Sequence, residues 1–326
     1  MTFNIESEIL LEVKNLKTFF YTSDGVVKAV DGVSFILHKG ETLGIVGESG
    51  CGKSVTAFSI MKLIEPPGKI ESGEIFFEGY DILKLNEKEL QKVRGNKISI
   101  IFQNPTSYLN PVFTCGEQID EAITAHQKTS RKKAKKKTIE LIKQVGITDA
   151  EQRYNDYPHQ LSGGQQQRIM IAMALANEPK ILIADEPTTA LDVTIQTQIL
   201  GLINEMKKKY EMSVILITHD MGVVAETCDN VAVMYASEIV EYGSVNEIFN
   251  NPKHPYTIAL LESIPKLSEK KERLPVIEGS VPNPINYPKG CHFSPRCKLA
   301  DEKCKTDTPP KIDISESHFA NCFKIN

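Results

Sequence analysis

The 36 residues from Leu161 to Gln196 constrain this chain more than any other stretch. They contain Leu161-Ser162-Gly163-Gly164-Gln165, then Ile181-Leu182-Ile183-Ala184-Asp185-Glu186, then Ala190-Leu191-Asp192. Roughly a hundred residues upstream stands Gly47-Glu48-Ser49-Gly50-Cys51-Gly52-Lys53-Ser54, the G-x-x-x-x-G-K-[ST] pattern of a phosphate-binding loop. That pattern alone says only that a nucleoside triphosphate is bound. An apolar run ending in Asp-Glu and a Ser-Gly-Gly-Gln opening a helix restrict the fold to a nucleotide-binding α/β core.

The chemistry follows from the residue types. Backbone N–H groups can surround phosphate oxygens only where side chains stay out of the way, which accounts for Gly47, Gly50 and Gly52. The helix opening at Lys53 adds the positive end of its dipole. Lys53 is expected to reach the β- and γ-phosphates and the Ser54 hydroxyl to ligate Mg²⁺, with Ser49, Cys51 and Val55 lining the same loop. Asp185 ends an apolar strand, a costly place for a carboxylate unless a cation such as Mg²⁺ satisfies it. Glu186 follows as the expected general base for an attacking water. Alone, His219 after Ile215-Leu216-Ile217-Thr218 would be an ordinary structural histidine; in this order of motifs it is expected to face the γ-phosphate.

Composition bounds the rest. With 326 residues, 41% of them hydrophobic, the chain can bury one large core and a smaller one. A formal net charge of −4 gives no electrostatic reason to bind nucleic acid, and the run Arg131 to Lys137 lacks the interleaved aromatics of a nucleic-acid surface, so it reads as a solvated helix face. No apolar window of about 18 residues occurs, and the amino-terminal residues lack the basic and apolar segments of a secretory signal. Cytoplasmic residence is the expectation. Seven cysteines then argue for free thiols or a metal site rather than disulfides.

Along the chain, residues 10 to 45 and 73 to 79 alternate like the strands of an antiparallel β part, and Thr42 to Val46 feeds the glycine loop. Residues 55 to 64, 116 to 125, 132 to 145 and 165 to 176 carry helical patterns. Apolar strands return at 181 to 184 and 214 to 217, and 231 to 234 with 238 to 243 read as a hairpin. Ten of the 17 prolines lie beyond Asn251, a density that predicts neither long helices nor regular sheet there, with 256 to 263 the one convincing helix. The predicted division is an ATPase domain over 1–250, with a helical part at about 110–178, and a loop-rich extension over 251–326.

With Gln103 after Ile100-Ile101-Phe102 and His219 added to the motifs above, the chain resembles the ATP-binding subunit of an ABC transporter. The fold this implies is a P-loop core with an antiparallel β subdomain and a helical subdomain. Further stretches are similar to the D-type ATPases of dipeptide and oligopeptide importers: Gly25 to Phe35, Leu109-Asn110-Pro111-Val112, His254-Pro255-Tyr256-Thr257, Leu260 to Pro265, and Gly290 to Cys297. Two positions depart from that pattern: Ser237 replaces a usual glycine and Tyr108 a usual serine. The resemblance implies that Gln103 contacts Mg²⁺ or the attacking water, that Ser162, Gly163, Gly164 and Gln165 close on a partner subunit's ATP, and that Asp192 lines that shared interface. It also implies an aromatic ring stacking on adenine, for which Tyr21 is preferred over Phe19 and Phe20. The implied partners are a homologous F-type ATPase subunit, two transmembrane permease subunits and, indirectly, an extracellular substrate-binding protein, at the cytoplasmic face of the membrane. A nickel or metallophore importer would carry the same residues. A soluble ABC ATPase acting on nucleic acid or ribosomes would carry a second cassette or long insertions.

Cys291, Cys297, Cys304 and Cys322 are separated by five, six and seventeen residues. Structural zinc commonly uses pairs two to four residues apart, which this pattern lacks. Related peptide-importer ATPases carry a [4Fe–4S] cluster at matching cysteines, so a cluster that cross-links a tail poor in core is the expectation, with Zn²⁺ or unmetallated thiols as alternatives. His292 and His318 are expected to be surface residues.

Overall fold

The structure, a computed structural model, describes residues 8–189, 191–264 and 276–325. Ala190 and Pro265 of the motifs above lie outside the described residues, as does the amino-terminal stretch 1–7. The chain forms two compact units, one of residues up to 83 together with 218 onward, the other of residues 84–217.

The first unit opens with β1 (Ile9–Thr22), β2 (Gly25–His38), β3 (Thr42–Val46), α1 (Lys53–Ile60), β4 (Gly68–Phe77) and β5 (Tyr80–Asp81). The second holds α2 (Glu87–Val93), β6 (Ile98–Ile101), α3 (Pro105–Tyr108), α4 (Cys115–Thr124), α5 (Arg131–Gln144), α6 (Ala150–Arg153), α7 (Gly163–Leu175), β7 (Ile181–Asp185), α8 (Val193–Tyr210) and β8 (Ser213–Thr218). The first unit resumes with α9 (Met221–Thr227), β9 (Asn230–Tyr235), β10 (Glu238–Ser244), α10 (Val245–Asn250), α11 (Pro255–Glu262), α12 (Glu302–Thr306), β11 (Lys311–Asp313) and β12 (Phe319–Asn321). No described helix is long and apolar enough to cross a membrane.

Two kinds of sheet follow from two kinds of sequence. The long strands β1 and β2 alternate and pair antiparallel, and β1 pairs antiparallel with β4 on its other side. By contrast β3 and β7 are buried at every residue, and each lies parallel to a neighbour, β3 to β9 and β7 to both β6 and β8. Continuous apolar runs are what parallel strands covered on both faces require. In the second unit the lysines of α5 face solvent while Ala134, Thr138, Leu141 and Ile142 face inward, as expected of a solvated helix face.

The tail differs from the expectation of no regular sheet. β12 pairs antiparallel with β10, Tyr242 opposite Phe319 and Glu241 opposite Ala320, and β11 pairs with β12. Residues 311–325 carry no proline, so this stretch can donate the ladder hydrogen bonds that the preceding residues cannot. Further cohesion comes from an aromatic triangle. Tyr235 of β9, Tyr256 of α11 and Phe293 have ring centroids 4.6, 5.1 and 5.4 Å apart, within the core that also holds Val46, Val231 and Val233. Beside it the fully buried Glu241 carboxylate accepts hydrogen bonds from the backbone N–H groups of Lys253 and His254 and pairs with His318 at 2.8 Å. His318 is 1% exposed, so it is a core residue and not the surface histidine its position suggested.

His254 caps α11, its Nδ1 accepting from the Tyr256 N–H at 3.1 Å, and burial pushes its pKa down to about 3. The folded imidazole is therefore neutral, whereas the unfolded one takes up a proton below about pH 6.5. Stability is full above that pH and falls as acid is added. From pH 7 to pH 5 this group should account for about 2 kcal/mol of lost stability. Denaturant unfolding across that range should show the slope, and His254→Asn, which keeps a capping acceptor without the titration, should flatten it; an equally steep slope in the variant would count against the assignment.

Candidate nucleotide site

The phosphate loop lies in the first unit between β3 and α1 and is held by contacts too close for side chains. A Cβ on Gly47, whose φ is +153°, would meet the Met234 carbonyl oxygen at 2.1 Å, and one on Gly52, at φ +105°, would meet the Ala29 carbonyl oxygen at 2.2 Å. Lys53 is 5% exposed, and its Nζ donates to the carbonyls of Gly47 at 2.8 Å and Glu48 at 3.0 Å. Carbonyls are neutral, and no ion pair to Lys53 occurs among the described residues. A buried ammonium with only dipoles for partners is a site for an anion. Ser49 and Gly50 are exposed at the loop's tip, Ser54 and Val55 are half-buried, and Cys51 is fully buried, its thiol pKa raised by that burial.

In the second unit Asp185 is 2% exposed at the end of β7. Glu186 follows at φ +45°, a left-handed conformation costly for any residue but glycine and concentrated at functional sites. Its N–H is tied to the Ile217 carbonyl at 2.9 Å. Its Oε2 accepts from Gln103 Nε2 at 2.9 Å and from Thr189 Oγ1 at 2.8 Å. Gln103 and Glu186, 83 residues apart, are thus brought together. Thr189 was not among the expected site residues, although its spacing three residues after a carboxylate is the signal that would have found it. Tyr108 stacks on Phe102, the neighbour of Gln103, with centroids 3.8 Å apart and planes 6° apart. The departure at Tyr108 therefore adds packing next to Gln103.

Ser162 to Gln165 form a reciprocal cap on α7. The Ser162 hydroxyl accepts from the Gln165 N–H at 3.3 Å, and Gln165 Oε1 accepts from the Ser162 N–H at 3.0 Å. Ser162 and Gly163 remain exposed in front of this helix start. Asp192 caps α8 by accepting from the Ile195 N–H at 2.9 Å, and a Cβ on Gly164 would meet the Ile195 side chain at 3.1 Å. The start of α7 and the start of α8 therefore lie against each other. The other two expected residues belong to the first unit. His219 is exposed immediately after β8. Tyr21 is 48% exposed near the β1–β2 turn, and its hydroxyl donates to Glu71 at 2.8 Å, which raises the tyrosine pKa. At the other departure, Ser237 adopts φ +74°, the conformation a glycine would take without strain.

Residues 30–189 match the ABC transporter family, and residues 240–304 match the family described as the oligopeptide/dipeptide transporter, C-terminal region. The oligopeptide transport ATP-binding protein OppD of Bacillus subtilis is 53% identical over 319 residues, which cover 97% of this chain and 89% of that protein. The chain belongs to the ATP-binding subunits of ABC transporters. Another such subunit, the dipeptide transport ATP-binding protein DppD of Lactococcus lactis, is 51% identical across 98% of this chain and 92% of its own length. Among solved structures, the dimeric post-hydrolysis ATP-binding cassette MJ0796 with ADP and phosphate superposes with a TM-score of 0.66 at 29% identity, over 72% of this chain and 99% of that one. As a member of this family the subunit is an ATPase.

The [4Fe–4S] cluster expected at Cys291, Cys297, Cys304 and Cys322 is not supported, and neither is the zinc alternative. The four thiols do line one cavity of this ABC subunit, but its volume is about 10 Å³, roughly what a single water needs. Among the described residues no group of three or more His, Cys, Asp or Glu side chains could hold a metal ion. Burial pushes the Cys291 thiol up to about 11 and raises Cys297 and Cys322. The premise of the expectation was a tail without a core. Phe293, Cys291 and Cys297 pack instead on the shared core of the first unit, so burial supplies the cross-linking.

The α7 cap supplies a stability test. Ser162→Ala should cost about 1 kcal/mol in denaturant unfolding, whereas Ser162→Asn, which retains an acceptor at the cap, should cost only a few tenths. Equal losses in both would contradict the capping role.

Proposed function

We propose that this ATPase energises uptake of dipeptides or oligopeptides as a peripheral subunit at the cytoplasmic face of the membrane. The observation that carries the reading is the pairing of the ABC cassette with a carboxyl-terminal region of the oligopeptide/dipeptide type, within a chain about half identical to peptide-transport ATPases along nearly its whole length. It works with two transmembrane permeases and a substrate-binding protein. Its ATPase partner is a homologous F-type subunit.

The residues fit the chemistry of ATP. The glycine cradle and the Lys53 ammonium suit a polyphosphate, with Tyr21 as the adenine contact. Ser54, Gln103 and Asp185 offer the hard oxygen donors that hold Mg²⁺, which neutralises phosphate charge when bound. Glu186 accepts the proton of the water that attacks the γ-phosphorus as the bond to the bridging oxygen breaks and ADP leaves. Gln103 and Thr189 hold that carboxylate in one orientation, and His219 contacts the γ-phosphate. Ser162, Gly163, Gly164 and Gln165 form the helix start that meets the ATP of the partner subunit, Gly163 exposed at its front, with Asp192 at the same interface.

Glu186→Gln should bind ATP within about twofold of wild type while hydrolysis falls on the order of 100-fold or more, because the base is lost and the pocket kept. Lys53→Ala should weaken ATP binding about tenfold or more, because it removes the one buried charge in the loop. Nucleotide titration and phosphate release on both variants check this; wild-type turnover by Glu186→Gln would refute the role of the base. Because each site is completed by a second subunit, the purified chain alone should be a poor ATPase whose rate rises when the F-type subunit and permeases are added. Full transport-coupled turnover by the chain alone, independent of protein concentration, would overturn the composite site.

A further inference from the structure

Glu48, the second residue of the phosphate loop, is gripped from three directions. Its carboxylate accepts both ends of the Arg296 guanidinium, Nη1 to Oε2 at 2.7 Å and Nη2 to Oε1 at 3.0 Å. Its backbone N–H donates to the Tyr256 hydroxyl at 2.9 Å. Its carbonyl accepts from Lys53 Nζ at 3.0 Å and from the Cys51 N–H at 3.3 Å. Arg296 is itself held almost completely: its side chain is 5% exposed, Nε donates to the Glu278 carbonyl at 3.0 Å, Nη2 to the Ile277 carbonyl at 3.1 Å and Nη1 to the Tyr235 hydroxyl at 3.3 Å. The other end of the loop is tied more indirectly. The Cys51 carbonyl accepts from the Ser237 N–H at 3.0 Å, and the neighbouring Ala236 carbonyl is 2.8 Å from His292 Nδ1. Tyr256, His292 and Arg296 all come from the carboxyl-terminal 80 residues, and Arg296 lies 248 positions from Glu48.

We propose that the carboxyl-terminal segment acts as a clamp on the phosphate loop, with Arg296 as the positioning residue that holds Glu48, and through it Lys53, in the geometry that receives the triphosphate. A loop closed around a polyphosphate must keep its N–H groups aimed inward, and each backbone unit left free would lose that freedom again on binding. A bidentate guanidinium–carboxylate pair sets both position and rotation of the Glu48 side chain, which a single ammonium contact would not. Its burial makes it specific to the folded tail. The proposal rests on the reading of this loop as the ATP site, and it assigns the tail a part in nucleotide affinity.

The test is made on the full chain assembled with its transporter partners, reading KM for ATP and kcat, together with binding of a non-hydrolysable ATP analogue. Arg296→Lys keeps the charge and loses the fork, and Glu48→Gln loses the charge from the loop side. Each should raise KM and the analogue Kd about tenfold, with kcat at saturating ATP within about twofold. Removal of either partner can leave a buried charge, so the pair Glu48→Leu with Arg296→Met, apolar and of similar volume, keeps the fold while lacking the clamp. It should show the same rise in KM, no larger than that of the single variants. Wild-type KM and Kd in a folded double variant, or a fall in kcat with KM unchanged, would overturn the clamp. Failure of the wild-type chain to bind the analogue would instead refute the reading of the loop.

Discussion

The close approach of backbone to backbone at the phosphate loop is the constraint on which the rest of the first unit depends. Gly47 lies against the Met234 carbonyl and Gly52 against the Ala29 carbonyl at separations that exclude even a methyl group. These contacts bring together the end of β3, the end of β9 and strand β2, and they leave Lys53 buried beneath a loop whose carbonyls and Cys51 sulfur hold it. The parallel pairing of β3 with β9 and the fully buried burial pattern of β3 follow from the same arrangement. A rigid apolar strand delivers the loop, and missing side chains let it close.

The second unit solves a different problem with short-range hydrogen bonds. β7 carries Asp185 and Glu186 to the end of a buried strand, and the left-handed backbone at Glu186 turns its carboxylate toward Gln103 and Thr189. The cost of that conformation is offset by the parallel ladder of β7 with β6 and β8 and by the Glu186 N–H bond to Ile217. At the other motif, the Ser162 and Gln165 side chains serve the local helix cap, which leaves Gly163 at the surface with its backbone available. The same residues therefore satisfy a folding requirement and present a surface suited to an anion.

The carboxyl-terminal segment is the part where composition misled. Its prolines suggested a tail needing an inorganic cross-link, yet Phe293 packs edge-on to Tyr235 and Tyr256, and the proline-free residues from Lys311 onward extend the sheet through β12. Glu241, His254 and His318 form a buried polar cluster beneath it, satisfied by two backbone N–H groups and one histidine. The cysteines line a small cavity beside this core as free thiols, Cys304 and Cys322 buried and Cys291 and Cys297 half-buried. Cysteine count is a composition signal; whether thiols can surround an ion depends on how closely packing lets them approach.

Local patterns determined the elements around the site. Glycines at fixed spacing, apolar runs before Gly47 and before Asp185, and helical periodicity after Thr114, Ser130 and Ser162 placed β3, β7, β8, α1, α4, α5 and α7 within a few residues of where they stand, because each depends on neighbours in sequence. The long helix α8 carries equally local signals, an Asp192 cap and inward Ile199, Leu202, Ile203 and Met206, although it was not among the expected helices. Only tertiary structure could decide the hold of Arg296 on Glu48, the burial of His318 against Glu241, the addition of β12 to β10 and the small cavity shared by four cysteines. Each of these joins residues from distant parts of the chain, and periodicity shows which face of an element is buried but not which distant residue it meets.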